Sequence, residues 1–363
     1  MNYLITTAGR GTRFFKKGLK PFKPLVKIHG KESIIWSLES FNFHKDDKVY
    51  IIFNSNDCDL ESFIRKKIIS FFKCEFLFFD IKISTRGQLE TAKIAIEKLK
   101  LVGPILIYNN DTYFNCDINF EKYKNIDGLI PVFINKKHDH FSFVKPKPNS
   151  NQCELVTEKK RVSNFCSIGA YYFSNSQLIV KNFKKYEQSI KNSDEELYIA
   201  PFYNFLINKG FEIQFSNIGD NYKIFGTPKE LCESFNISWH ELLADNSIKG
   251  NHPGTLIVDI DNTICKINKD IAYEDREPII EMIEKIKYFN EKRYYIILHT
   301  SRNMNTYNGN IGLMNKYTLP KILKWLDKFS VPYDEIYMGK PWGRNAIYLD
   351  DKSMEISKFI KHG

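Results

Sequence analysis

The stretch Leu4-Ile5-Thr6-Thr7-Ala8-Gly9-Arg10-Gly11-Thr12-Arg13-Phe14, closed after a short loop by Lys23-Pro24-Leu25, decides how the first two-thirds of the chain must fold. Its apolar start near the N-terminus reads as a buried first strand. The strand stops at Ala8-Gly9-Arg10-Gly11, where two glycines allow a tight turn and a close approach to a ligand. Successive backbone N–H groups in such a turn suit phosphate oxygens. Arg13 adds a planar cationic fork fitted to a triphosphate, and Lys23 returns a point charge with Pro24 stiffening the chain behind it. A dinucleotide-binding loop needs a third glycine, but Phe14 stands in its place, and the Gly-Lys-Ser/Thr ending of a Walker A loop is absent.

The chain has 363 residues, more than one domain of typical size, which predicts two. Apolar residues make up 43% of it, enough for a sizeable core, and no apolar run approaches the roughly 18 residues of a membrane span. Neither a signal peptide nor a membrane segment is expected. Seven cysteines, scattered and without a Cys-x-x-Cys pair, predict reduced thiols and a cytoplasmic setting. The net charge of +10 is spread along the chain without a dense basic block, so it is read as phosphate handling and not as nucleic-acid binding.

Strands are expected at Tyr3–Thr7, Lys48–Asn54, Glu75–Ile81 and Pro104–Asn109, alternating with helices at Ser33–Phe41, Leu60–Phe72 and Gln88–Leu99. Leu89, Ala92, Ile96 and Leu99 fall on one face of the last helix. This predicts a mostly parallel sheet with its ligand site beyond the carboxyl ends of the strands. Asp111, at the mouth of the fourth strand, suits a Mg²⁺ ion held beside phosphates. From Asp127 onward the pattern becomes antiparallel, with strands at Gly128–Ile134 and Ser167–Phe173. His138-Asp139-His140 lacks a third ligand and is read as a loop. Thr227 as N-cap and Pro228 at N1 start a helix running to about Leu243, and Ala244–Gly254 reads as the interdomain linker.

Gly9, Gly11 and Arg13 followed by Lys23-Pro24 resemble the signature of the sugar-phosphate nucleotidyltransferases. The resemblance implies that Ala8, Gly9, Gly11, Thr12, Arg13 and Lys23 bind the nucleotide, with Arg13 and Lys23 serving catalysis. It further implies that Gly87 and Gln88 meet the base, that Asp111 joins nucleotide and metal, and that Glu158, Lys159 and Gly169 line the sugar-phosphate side. Gly226-Thr227-Pro228 resembles the end of that domain, but Ile224 stands where the sugar-1-phosphate subgroup has its second metal-binding Asp. Asp220 is the nearby acid that could substitute.

The second domain opens on Thr255-Leu256-Ile257-Val258-Asp259-Ile260-Asp261-Asn262-Thr263. Two carboxylates one residue apart at a strand end share a face, which suits a nucleophilic Asp259 and an acid/base Asp261. Thr300-Ser301 after an apolar strand, then Lys340-Pro341, then Asp350-Asp351 complete a set resembling the four motifs of the haloacid dehalogenase (HAD) phosphatases. His299-Thr300-Ser301-Arg302, Tyr333–Ile336 and Gly339–Trp342 are similar to a HAD group associated with bacterial capsule biosynthesis. That resemblance implies Mg²⁺ among Asp259, Asp261, Asp350 and Asp351, with Thr300, Ser301 and Lys340 on the phosphoryl group. The spacing holds one helix, Pro278–Phe289, between the first two motifs, and a loop at Tyr307–Gly312 with a helix at Thr318–Phe329 between the next two, leaving no room for a cap domain.

The expectation is therefore an α/β protein of two domains. Residues 1–245 form a Rossmann-like nucleotidyltransferase domain with a mixed sheet, and residues 254–363 form a smaller, capless HAD Rossmannoid phosphatase domain. One Mg²⁺ is expected in each. The substrates implied are an NTP, with CTP preferred, and a phosphorylated sugar or polyol. Neither nucleic acid nor a membrane is an expected partner, and a homo-oligomer is allowed. A rival reading keeps catalysis in one domain and makes the other a phosphosugar-binding or assembly module.

Overall fold

The computed structural model describes residues 1–9, 11–54, 72–190, 196–247, 252–268, 270–341 and 352–362. The chain divides into two compact units, Met1–Asn246 and Ser247–Gly363.

In the first unit the strand Asn2–Thr6 lies between Lys48–Phe53 and Ile105–Tyr108, parallel to both, with Ile5 opposite Ile51 and Tyr108. Glu75–Asp80 extends the parallel part beyond Lys48–Phe53. On the other side Ala170–Phe173 pairs antiparallel with Ile105–Tyr108, and the sheet continues through Gly128–Ile134, Phe165–Ser167, Ser142–Pro146 and Cys153–Glu158. Ile213–Asn217 also joins Gly128–Ile134, in parallel, making ten strands among the described residues.

Every residue of Ile105–Tyr108 is buried, as a central strand covered on both faces requires. Alternation sends Leu4 and Ile107 to one face, against the helices Gln88–Lys98, Gln177–Ser189 and Ile199–Asn208. Ile5 and Tyr108 go to the other, against Ser33–Leu38. In Gln88–Lys98 the buried stripe is Leu89, Ala92, Ala95 and Ile96, with Leu99 only partly covered.

Three expectations for the first unit change on folding. The strand expected over Ser167–Phe173 is two pieces, because Gly169 takes φ 81. A side chain there would come within 2.3 Å of the Asn109 amide, so the kink exists to seat the strand end that carries Asn109. The helix started by Thr227 stops at Phe235, where Asn236 adopts a left-handed φ of 51, and a second helix runs Trp239–Asn246. The buried Asn246 amide clasps the backbone of Lys27, accepting at 2.8 Å and donating at 2.9 Å, so the first unit ends after the expected linker begins. The helix expected over 60–72 falls, except for Phe72, outside the described residues.

The second unit has three parallel strands among the described residues, Thr255–Asp259, Tyr295–Thr300 and Glu335–Met338 in that order. The helices Ile280–Glu291 and Leu319–Lys328 pack Ile283, Ile286, Ile322, Trp325 and Leu326 against Val258, Ile296 and Leu298. The loop expected at Tyr307–Gly312 gives way at Ile311 to a short helix, with Asn310 capping Leu313 N–H at 3.1 Å.

Gly128 tests the packing between the sheet and Ile199–Asn208. A Cβ there would lie 2.5 Å from the Tyr203 ring and 3.1 Å from the Tyr172 carbonyl oxygen. Gly128→Ala should cost about 1–3 kcal/mol, read as a lower urea midpoint of the first unit. An unchanged midpoint would mean that Tyr203 gives way freely.

Candidate active site

The first unit opens a cavity of about 720 Å³ at the carboxyl ends of its parallel strands. The loop after Asn2–Thr6 forms its floor, where Thr7 donates both its backbone N–H and its hydroxyl to Ile52 O, each at 2.8 Å. Gly11, at φ 60, leaves room for Lys23, whose Cβ would lie 3.0 Å from any side chain placed there. Arg13 sits on the single helical turn Thr12–Phe15, anchored by buried Phe14. Lys23 is fixed by Pro24 and by Ser33, whose hydroxyl donates to Lys23 O at 2.6 Å.

Lys23 and Asp111 meet in a part-buried ion pair. Asp111 reaches that point because Asn110 turns with φ 56, and Ser37 holds Asn110 O at 3.0 Å. Phe225 N–H then closes on Asp111 O at 2.8 Å. The residues fit a hard divalent cation. A carboxylate faces the cavity, and the adjacent Asn110 Oδ1 is buried with no hydrogen-bond partner among the described residues. No group of three or more His, Cys, Asp or Glu side chains that could hold a metal occurs among the described residues, so substrate oxygens would complete the shell. Asp220 is exposed on the turn before Tyr222–Ile224 and is absent from the residues lining the cavity, while Ile224 pairs with Thr112 beside Asp111.

One wall is built by Gly87 and Gln88. Gly87 has φ 146, and a side chain there would strike Leu197 O at 2.6 Å. Leu197 N–H donates to Arg86 O at 2.7 Å, and Leu89 N–H to Leu197 O at 3.0 Å, which straps this wall to the segment carrying Glu196 and Tyr198. Gln88 donates to the Thr6 hydroxyl at 3.1 Å, and that hydroxyl donates onward to Tyr108 O.

Beside Asp111 lies a smaller cavity of about 160 Å³ that includes Ser142, Glu158, Gly169 and Tyr171. Burial raises the Glu158 pKa, opposed by the Ser142 hydroxyl that donates to it and by Lys159. Burial and Glu158 push the Tyr171 hydroxyl up to about 12. His140 meets Glu230 at 2.5 Å on the same rim. The loop His138–His140 thus does carry a site-lining side chain. Lys159 is exposed, outside both linings, with its ammonium bound to the Tyr198 hydroxyl and 4.5 Å over that ring. Sequence reasoning missed Ser142, Tyr171, Glu196 and Tyr198, since single polar residues in strands and loops carry no spacing signal.

In the second unit Asp259 ends its strand with Oδ2 3.2 Å from Lys340 Nζ. Gly339 and Lys340 reach this position because both backbone N–H groups bond Thr300 O, at 3.0 and 2.9 Å. Thr300 is buried and its hydroxyl accepts from Arg302 N–H at 3.0 Å, while Ser301 is half-buried. Burial and the Lys340 charge lower the His299 pKa. Arg302 donates to both oxygens of Asp261, most closely to Oδ1, whereas among the described residues no guanidinium contacts Asp259. Asp350 and Asp351 lie outside the described residues.

The first unit has the Rossmann-like nucleotidyltransferase fold, of the sugar pyrophosphorylase kind, with its large mixed sheet. The nucleoside-diphosphate-sugar pyrophosphorylase from Vibrio cholerae RC9 superposes with a TM-score of 0.58 and 28% identity, over 65% of this chain and 100% of that one. A UDP-glucose pyrophosphorylase complexed with UDP-glucose gives 0.52 at 15% identity, over 65% and 97%, a likeness of fold alone. Among curated proteins, bifunctional protein GlmU of Methanococcus vannielii is 27% identical over 191 residues, covering 48% of this chain. The chain spans 41% of the length of that relative. No protein-family model matches. Among the described residues no helix is long and apolar enough to cross a membrane.

The desolvated Glu158 makes a pH prediction. A carboxylate with a raised folded pKa contributes stability fully below its ordinary value of 4.5 and loses it as pH rises through the folded value. Glu158→Gln removes that dependence. Its urea midpoint should gain on wild type across that window and hold a constant advantage above it. A gap that does not change with pH would show that Glu158 is solvated.

Proposed function

We propose that the chain is a bifunctional cytoplasmic enzyme making a nucleotide-activated sugar or polyol precursor for a capsule or surface glycan. Residues 1–245 transfer a nucleotidyl group from an NTP to a sugar, ketose or polyol phosphate and release pyrophosphate. The observation that carries this reading is the Lys23–Asp111 pair in the 720 Å³ cavity that Gly9 and Gly11 also line. A triphosphate would draw Lys23 onto its oxygens, and Asp111 with Asn110 Oδ1 would then be free to hold Mg²⁺. Mg²⁺, when bound, neutralises phosphate charge. Arg13 lines both cavities and would span the nucleotide and acceptor phosphates. Gly87 and Gln88 would face the base, and Glu158, Ser142 and Tyr171 the acceptor hydroxyls. CTP is the proposed donor, from the departure at Ile224 and the likeness to cytidylyltransferases.

Residues 254–363 are proposed to remove a phosphate from a related metabolite. Asp259 is the nucleophile, Lys340 and Thr300 steady the phosphoryl oxygens, and Asp261 handles the proton of the leaving oxygen. Asp259 would hold Mg²⁺ together with Asp350. If the acceptor starts as a bisphosphate, dephosphorylation precedes nucleotidyl transfer.

Pyrophosphate and phosphate release, measured across the four NTPs with a panel of sugar and polyol phosphates, tests both halves. Lys23→Ala should lower pyrophosphate release on the order of 10²-fold and leave phosphate release intact. Asp259→Asn, nearly isosteric, should do the reverse. Wild-type pyrophosphate release from Lys23→Ala would remove the first assignment, and phosphate release from Asp259→Asn the second.

A further inference from the structure

Asp261 does not stand alone in the second unit. Its Oδ1 accepts from Arg302 Nη2 at 2.6 Å and Nε at 3.1 Å, and faces Arg276 Nη1 at 3.5 Å. Among the described residues its Oδ2 takes a single contact, from Arg302 Nε at 3.2 Å. Both arginines are deeply buried, Arg302 at 4% exposed and Arg276 at 7%. Their guanidinium carbons lie 4.7 and 4.1 Å from the centre of the Tyr273 ring, whose hydroxyl is tied to Asn303 at 2.7 Å. Trp325 Nε1 fixes the Arg276 backbone oxygen at 2.8 Å. Asp261 strengthens the positive charge of Arg302 against the burial that opposes it. Two buried guanidiniums around one carboxylate need a purpose beyond stability, since an apolar core at the same place avoids the desolvation cost.

Resting on the phosphatase reading above, we propose that Arg302 is a positioning residue that loads Oδ1 of Asp261 and leaves Oδ2 to move the proton in both half-reactions. In the first, an Asp259 carboxylate oxygen bonds to phosphorus, the bond from phosphorus to the leaving oxygen breaks, and the proton on Asp261 Oδ2 passes to that oxygen. In the second, water attacks the aspartyl phosphate, its proton returns to Oδ2, and the bond from Asp259 to phosphorus breaks to release phosphate. A carboxylate free to rotate would offer either oxygen in many orientations. A fork set against the Tyr273 ring offers one.

The test is steady-state phosphate release by the full chain with Mg²⁺ from two esters, p-nitrophenyl phosphate and glycerol 3-phosphate. The alkyl leaving group needs the proton in the transition state and the nitrophenolate hardly does. Arg302→Lys keeps the charge but loses the fork. It should lower kcat for glycerol 3-phosphate on the order of 10²-fold, with KM changed less, and lower kcat for p-nitrophenyl phosphate far less. Guanidinium ion should restore part of the activity of Arg302→Ala. Should Arg302→Ala not fold, the lysine variant combined with Asp261→Asn still decides, because the two losses should not add. Equal losses on both esters, an effect on KM alone, or additive losses with Asp261→Asn would overturn the role of Arg302 while the phosphatase stands. A wild type that releases phosphate from neither ester would overturn the phosphatase reading and the role of Arg302 with it.

Discussion

The parallel pairing of Asn2–Thr6 with Lys48–Phe53 on one side and Ile105–Tyr108 on the other is the constraint on which the first unit depends. It brings the ends of two strands far apart in sequence to one edge. The turn after Thr6 and the segment Asn109–Asp111 after Tyr108 therefore open into the same cavity. Leu4 and Ile5, both fully buried, face opposite layers, so slipping this register by one residue would exchange the two cores. The ion pair between Lys23 and Asp111 contributes little to stability by itself, about 0–1 kcal/mol for a part-exposed pair. On the proposed reading, each partner stands in for a charge that the substrate or cation would bring.

Three glycines and one asparagine with positive φ sit where this geometry is tightest. Gly11 admits Lys23, Gly169 admits Asn109, and Gly87 lies against Leu197. Asn110 takes the same region with a side chain present, which leaves its amide oxygen buried beside Asp111. Strain of this kind persists where the surrounding structure holds it, and here the Ser37 and Phe225 hydrogen bonds on either side supply that hold.

The second unit uses the same architecture for another set of charges. Parallel strands again end together, delivering Asp259 and Thr300 to one edge, and the two N–H bonds to Thr300 O bring Lys340 alongside. The buried arginines mark the difference between the units. The first neutralises its acid with one flexible lysine, whereas the second fixes Asp261 with planar forks that have fewer ways to move.

Local patterns determined much of this protein from sequence alone. Strands at Asn2–Thr6, Lys48–Phe53 and Gly128–Ile134 follow from apolar runs bounded by turn residues, and the helix start at Thr227 follows from its cap and Pro228. The Gly9–Arg13 stretch and the Asp259-x-Asp261 pair stand out by short spacings, Lys23 by the Pro24 behind it, and Asp111 by its place at the mouth of a strand. Tertiary structure alone decided the rest. Gly169 breaks a strand that reads as continuous, because the reason is Asn109, sixty residues earlier. Asn246 belongs to the first unit because its amide finds Lys27. Ser142, Tyr171 and Arg302 enter their sites through contacts between residues distant in sequence, and such contacts leave no periodicity to read. Sequence spacing encodes what lies within a turn or two of the backbone, and the company a side chain keeps across a sheet is set by how the strands assemble.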